Sequence, residues 1–321
     1  NETPFSEIKV LPPNSILKWS RTGLQLHSEK INPKPQNLTH SQMVEGYIEY
    51  FRQAMERCRP ESDDFVLLLT GGRDSRQILF ELNRQGNLPS VCITGGEQRD
   101  ITVAEKLTQA LGLKHQVVIP RRIQISNVQQ KNIVTHFCAL EHDWLMPLSR
   151  YVAEHFFEAY EGTGVGILTR SELLTPHLVQ YYQDGKYEQI AQWIYENVGP
   201  SESFFEFLPE KFHFLKNERQ QAVSDLTNEL RRHNESPNPL GVFNFWNWNR
   251  RATALNPFGI QTGLQRLNTP FMDKKLFEFV SSLDVHNILE REPQTAAIRE
   301  AFPQFNNICF YSDLPLRPSS R

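Results

Sequence analysis

The sequence predicts an α/β protein, a doubly wound parallel sheet followed by a mainly helical C-terminal half. Three observations carry this expectation. Strand-like and helix-like stretches alternate from Phe65 to Ile119, residues 65–69 form an unbroken apolar run, and beyond residue 125 the apolar spacing is mostly helical. Such alternation is the unit of a parallel sheet with helices on both faces, and a strand covered on both sides shows no polar face.

The elements follow in order. The first forty residues are rich in Pro and Asn, with Pro12-Pro13-Asn14 as a turn and Ile16 to Trp19 as a short strand. Thr39 and Gln42 fit a capping box, and Val44, Tyr47, Ile48, Phe51 and Met55 then recur at helical spacing. A boundary therefore falls between 1–40, an N-terminal extension, and 41–321, the main domain. After the strand Phe65 to Leu69, a glycine loop leads into a helix carrying Ile78, Leu79 and Leu82. Val91 to Thr94 is the next strand, ended by Gly95-Gly96. Asp100 reads as the N-cap of the following helix, with Ala104, Leu107 and Leu111 inward and Gly112 beyond its end. Gln116 to Ile119 makes a third strand, and 147–160, 187–197, 218–233 and 273–283 predict helices. Phe243 to Arg251 is aromatic and basic; without a surrounding basic surface it reads as a packed helix end.

Composition narrows the function classes. The 321 residues are 39% hydrophobic and 22% charged, an ordinary balance for a globular protein. A net charge of −3 gives no electrostatic case for nucleic acid or an anionic membrane. No apolar run approaches the ~18 residues of a spanning helix, and no export signal opens the chain, so a soluble, cytoplasmic protein is expected. A start at Asn1 predicts an excerpt or a processed product. Cys58, Cys92, Cys138 and Cys309 are scattered and read as reduced thiols, with two disulfides as the alternative.

Thr70-Gly71-Gly72-Arg73-Asp74-Ser75 is the segment that points to chemistry. It leaves a buried strand and opens a helix, the position where doubly wound sheets bind phosphates. Consecutive glycines let the backbone approach an anion, and the helix start offers unpaired N–H groups. The Thr70 and Ser75 hydroxyls add donors, while Asp74 beside a phosphate implies a bridging Mg²⁺. An ordinary strand–helix connection is the alternative. The loop is not a Walker A loop, since G-x-x-x-x-G-K-[ST] is absent. A second glycine loop, Gly162-Thr163-Gly164-Val165-Gly166-Ile167, fails as a dinucleotide fingerprint because Ile167 replaces the third glycine and no convincing strand precedes it.

Leu69 to Arg76 resembles the S-G-G-x-D-S loop of the ATP pyrophosphatases (the PP-loop, adenine nucleotide alpha hydrolase-like fold), and specifically the asparagine-synthetase family in its divergent, asparagine synthetase-related branch. Thr94-Gly95-Gly96, Asp100, Ala104, Leu111-Gly112 and His115 resemble that family's adenine-side strand and helix. Thr269-Pro270-Phe271-Met272-Asp273 resembles its R-P-F-L-D segment, and Phe5 to Leu17 its last strands before the synthetase domain. The resemblance implies an ATP- and Mg²⁺-dependent ligase that adenylates a carboxylate and then joins it to ammonia or an amine. On this reading Thr70, Gly71, Gly72, Asp74, Ser75, Gly162 and Gly164 hold pyrophosphate, Thr94 and Gly95 lie near adenosine, and Asp74 is the metal ligand. Glu141, in Glu141-His142-Asp143, stands where relatives carry a catalytic Glu, with a local capping role as the alternative. Residues 1–40 become the end of an amidotransferase-like domain, and a homodimer is a further expectation.

Two departures bear on turnover. Gly166 stands where the family's metal-binding Asp is expected, and Cys309-Phe310-Tyr311-Ser312-Asp313 lacks the late Lys. They imply the alternative of a degenerate member that binds a nucleotide without turning it over. A third reading keeps the chemistry and changes the acceptor, as in β-lactam or peptide-cyclising relatives.

Overall fold

The computed structural model describes residues 5, 7–12, 14–29, 33–95, 98–118, 124–137, 139, 143, 145–199, 218–249 and 263–314. Strands β1 (Ser15–Ser20) and β2 (Gly23–Ser28) pair antiparallel as a hairpin. Its register places Leu17 opposite Leu26 and Trp19 opposite Leu24, so these four side chains share one face, which ends at the Ser15–Ser28 pair. That face is open, with Trp19 82% exposed.

Five parallel strands make the central sheet in the order β5-β4-β3-β6-β7. They are β3 (Phe65–Leu68), β4 (Val91–Thr94), β5 (His115–Val117), β6 (Glu158–Tyr160) and β7 (Arg266–Asn268). The doubly wound parallel expectation holds. From β3 the chain winds outward through β4 to β5, then crosses back to place β6 on the other side of β3. The strand order reverses between β3 and β6, and such a switch point leaves a crevice at the carboxyl ends of the strands.

Alternation along β3 explains the layers. Phe65 and Leu67, with Leu69 just beyond, pack into a large core with α1 (His40–Arg57), α2 (Asp74–Gln85) and α3 (Gln98–Ala110). Val66 and Leu68 point to the opposite face, where Leu145, Leu148 and Val152 of α5 (Leu145–His155) cover them; α4 (Gln124–Val134) packs on α5. A separate helical core joins α7 (Pro176–Gln183), α8 (Tyr187–Asn197), α9 (Arg219–Arg231) and α10 (Pro239–Asn244) around Leu178, Ile190, Leu230 and Leu240. The chain closes with α11 (Lys274–Ser281), α12 (Val285–Arg291) and α13 (Pro293–Ala301), of which α11 and α13 pack on α1.

The capping box forms as expected: the Gln42 amide donates to Thr39 Oγ1 at 3.3 Å, and the Thr39 amide to Gln42 Oε1 at 3.0 Å. Three expectations need correction. The helix expected over 147–160 ends at His155, and Glu158–Tyr160 is a sheet strand. A strand therefore does precede the second glycine loop. It is three residues long and buried throughout, too short for a strand period to register in the sequence. Asp100 is not an N-cap; α3 starts at Gln98, and Asp100 Oδ1 instead accepts the Gly71 amide at 2.9 Å. The aromatic segment packs, with Phe245 and Trp246 of the π-turn Phe245–Asn249 against Phe277. Cys58, Cys92 and Cys309 are free thiols, and Cys138 lies outside the described residues. Among the described residues no helix is long and apolar enough to cross a membrane.

Candidate active site

A cleft of about 340 Å³ opens at the β3/β6 switch point. Its walls include Thr70, Asp74 and Ser75 from the loop after β3, and Glu161, Gly162, Thr163, Gly164, Gly166 and Arg170 from the segment after β6. Gly95, after β4, and Asn249 complete it. The two glycine loops, separate in sequence, thus line one space.

The first loop is braced from within. The Thr70 amide donates to Ser75 Oγ at 3.0 Å, the Gly72 amide to Thr70 Oγ1 at 3.3 Å, and the Gly71 amide to Asp100. A Cβ on Gly71 would lie 2.8 Å from Tyr311 Cβ and 2.9 Å from Val103 Cβ, so packing dictates this glycine. The donors left for an anion belong to the first turn of α2. Helix geometry gives its leading N–H groups no partner inside the helix, and no side chain caps it. An uncapped helix start concentrates positive potential where a phosphate is favoured.

Arg73 and Arg76 turn away from the cleft. Both guanidinium groups lie 4.2 Å from the centre of the Phe310 ring. Arg73 Nε donates to Thr295 Oγ1 at 2.7 Å, and Arg76 donates to the Ile308 and Cys309 carbonyls at 2.7 and 2.6 Å. The Tyr311 amide donates to Gly71 O at 3.0 Å. The 308–313 segment, lacking a lysine, therefore serves as a backing plate for the loop.

Gly162 presses against the start of α2: a Cβ there would lie 2.8 Å from Asp74 Cβ and 3.0 Å from the Ser75 amide nitrogen. Gly164 fits under Phe271, whose carbonyl would stand 2.3 Å from an added Cβ and accepts the Val165 amide at 3.1 Å. The Thr269–Asp273 segment thereby positions the second loop. A Cβ on Gly166 would sit 2.8 Å from Asp74 Oδ1, so an acidic residue at 166 would place a second carboxylate on Asp74. Here Asp74 Oδ1 instead accepts from Gln294 Nε2 at 2.7 Å, and Arg170 Nη2 lies 3.9 Å from Asp74 Oδ2.

Glu161 is a cleft carboxylate that the sequence analysis did not single out. It accepts from the Thr163 hydroxyl, while its Oε2 is closed off from solvent without a hydrogen-bond partner. Burial pushes its pKa up to about 7, the neighbouring Asp74 adds to the rise, and the Thr163 hydrogen bonds oppose it. Its position between a sheet strand and a glycine was the available signal, hidden because β6 was read as helix.

This shift fixes a sign. The folded pKa exceeds the unfolded value of 4.5, so folding favours the protonated carboxyl. That stabilisation is complete below the unfolded value and is lost as pH rises through about 7. Thermal melts are expected to show stability falling across this window. Glu161→Gln, neutral at every pH, removes that part of the slope; parallel pH profiles for the two proteins would exclude a buried Glu161 as its source.

The remaining expected site residues divide. Thr94 stands behind the cleft, fully buried, its hydroxyl donating to Leu69 O and paired with His115 Nε2, each at 2.7 Å. His115 is therefore a satisfied strand histidine, and burial lowers its pKa. Glu141 and His142 lie outside the described residues. Among those described, no cluster of three His, Cys, Asp or Glu side chains is placed to hold a metal. Asp74 and Glu161 nevertheless fit Mg²⁺ in its usual nucleotide-site form, where one or two carboxylates suffice and phosphates and water supply the rest. The unpartnered Glu161 Oε2 beside Asp74 is the observation that favours this fit.

The fold and cleft define a doubly wound α/β protein with a crevice at its switch point. No family model matches the chain, and no curated protein matches it. Among solved structures it is similar to an NH3-dependent NAD synthetase from Campylobacter jejuni subsp. jejuni NCTC 11168, in complex with the nitrate ion. The two are 14% identical over 58% of this chain and 96% of that one, with a TM-score of 0.28. At that score the likeness carries no weight beside the strand order and the cleft.

Proposed function

We propose that the cleft binds ATP and that the protein is an ATP-dependent, amide-forming ligase of the asparagine-synthetase type. The observation that carries this reading is the uncapped start of α2 at the switch point, faced by the second glycine loop and two neighbouring carboxylates. The start of α2 with Ser75 and Thr70 would receive the pyrophosphate portion, and Gly162 lets the second loop close over it. Asp74 and Glu161 would hold Mg²⁺, which neutralises charge on the phosphates. A substrate carboxylate oxygen attacks the α-phosphorus, the bond to the β-phosphate oxygen breaks and pyrophosphate leaves. Ammonia or an amine then attacks the acyl carbon, AMP departs and the nitrogen loses a proton. Such catalysis rests on positioning and charge stabilisation, which rigid loops on a sheet edge supply.

Calorimetric titration with ATP, with and without Mg²⁺, tests the reading. The expected result is Mg²⁺-dependent binding that falls at least tenfold in Asp74→Ala, with folding intact. Unchanged binding in that variant would remove Asp74 from the site.

A nucleotide-binding protein without turnover is the second reading. It is favoured by Gln294 and Arg170 occupying the surroundings of Asp74 where a carboxylate on residue 166 would reach. ATP binding without pyrophosphate release in the presence of diverse carboxylates and ammonia would favour it.

A further inference from the structure

A second cavity, of about 470 Å³, adjoins the cleft and shares Ile167 and Arg170 with it. It lies where the small helical core meets the segment after β6. Leu173, Ile194, Leu226, Phe243 and Trp248 make its walls mainly apolar. A space of this size takes a ring-sized organic molecule, and apolar walls recognise its body while a few polar groups orient it.

Arg170 supplies the orienting group. It follows the short helix α6 (Gly166–Thr169), so the second glycine loop and this guanidinium occupy one short stretch. Its Nε is closed off from solvent and has no acceptor. Its Nη2 stands 3.9 Å from Asp74 Oδ2, beyond hydrogen-bonding distance. That enclosed Nε is beyond a ligand's reach, but the side chain is 32% exposed and borders both spaces, and a carboxylate is the ligand group that matches the accessible end of a guanidinium. Among the described residues, the other charged side chain lining the cavity, Glu172, is exposed.

We propose that this cavity binds a carboxylic acid with an aromatic or branched aliphatic body, its carboxylate held by Arg170 at the boundary with the cleft. Resting on the ATP reading above, this acid is the one whose carboxylate the cleft adenylates. Small, doubly charged acids are disfavoured, because the apolar walls leave their second charge unpaired.

Calorimetry on the full chain tests this with three probes: 3-phenylpropanoate, its neutral amide and succinate. The acid is expected to bind at least tenfold more tightly than either of the others. Arg170→Gln should reduce the acid to the affinity of the amide and leave the amide unchanged. Leu226→Phe, which fills the cavity, should weaken acid and amide alike, with circular dichroism confirming that both variants fold. Equal affinity for acid and amide, preference for succinate, or indifference to both substitutions overturns the proposal. ATP is titrated into the same preparations. ATP binding without acid binding overturns this proposal alone. Acid binding lost in both variants, without ATP binding, supports the carboxylate site and overturns the nucleotide reading.

Discussion

Gly162→Ala is expected to cost the protein at least tenfold in ATP affinity, with only a moderate loss of stability. The added methyl would stand 2.8 Å from Asp74 Cβ, closer than real Cβ contacts permit, and 3.0 Å from the Ser75 amide nitrogen, tighter than nearly all of them. The second loop must retreat from the start of α2, and the space that closes around a phosphate widens. Overpacking of this kind typically costs about 1–3 kcal/mol of stability, and tenfold in affinity corresponds to about 1.4 kcal/mol. Gly112→Ala is the matched control. Gly112 adopts a left-handed φ of +65° beyond α3 with nothing within 4 Å of an added Cβ. It should lose stability through backbone strain and keep ATP affinity. Equal effects of the two substitutions on affinity would refute a direct role for the Gly162 contact.

Arg76→Met is expected to have the largest effect on stability, about 3 kcal/mol. The side chain is only 2% exposed and donates to two backbone carbonyls, Ile308 O at 2.7 Å and Cys309 O at 2.6 Å. Burial lowers its pKa to about 10, because withdrawal from water penalises the charged form, and the neighbouring Arg73 adds to the fall. Methionine fills much of the volume and leaves both carbonyls without this donor; charged hydrogen bonds contribute about 1.5–3 kcal/mol each, and an unpaired buried acceptor costs further. Denaturant unfolding measures the loss. Arg76→Lys should rescue little, because one ammonium cannot reproduce the planar fork over the Phe310 ring. A loss below about 1 kcal/mol for Arg76→Met would show that the 308–313 segment is anchored elsewhere.

Much of the fold was legible because the strands β3 and β4 obey a simple rule. Phe65–Leu68 and Val91–Thr94 are apolar, bounded by turn residues, and each feeds a helix with clear spacing. The strand Glu158–Tyr160 escaped because it carries a buried charge: Glu158 is fully enclosed and joined to Asn268 and Arg266. A glutamate in a three-residue element has no hydropathy signature. Missing that strand also hid Glu161, which follows directly from it.

The first loop was legible as a motif, although its parts divide differently from the motif's appearance. Gly71 answers to the packing of Tyr311 and Val103, whereas Asp74, Ser75 and Gly162 meet at the cleft. Pairings such as Gly71 with Asp100, or Arg76 with Ile308, join residues far apart in sequence and leave no local trace. Gly166 was visible as a missing acid, but the presence of Gln294 and Arg170 at Asp74 required the tertiary structure.

The backing of the first loop by residues 308–313 also sets an order of events during synthesis. The contact between Arg76 and Ile308 spans 232 positions, so a ribosome-bound chain carries the loop long before its support exists. Domains emerge N-terminus first, and contacts this distant form late. A nascent chain halted before residue 308 already contains all five strands of the sheet, the last ending at Asn268, with the loop unsupported. Support for the first loop should therefore be complete only when the turn Tyr311–Asp313 has left the exit tunnel.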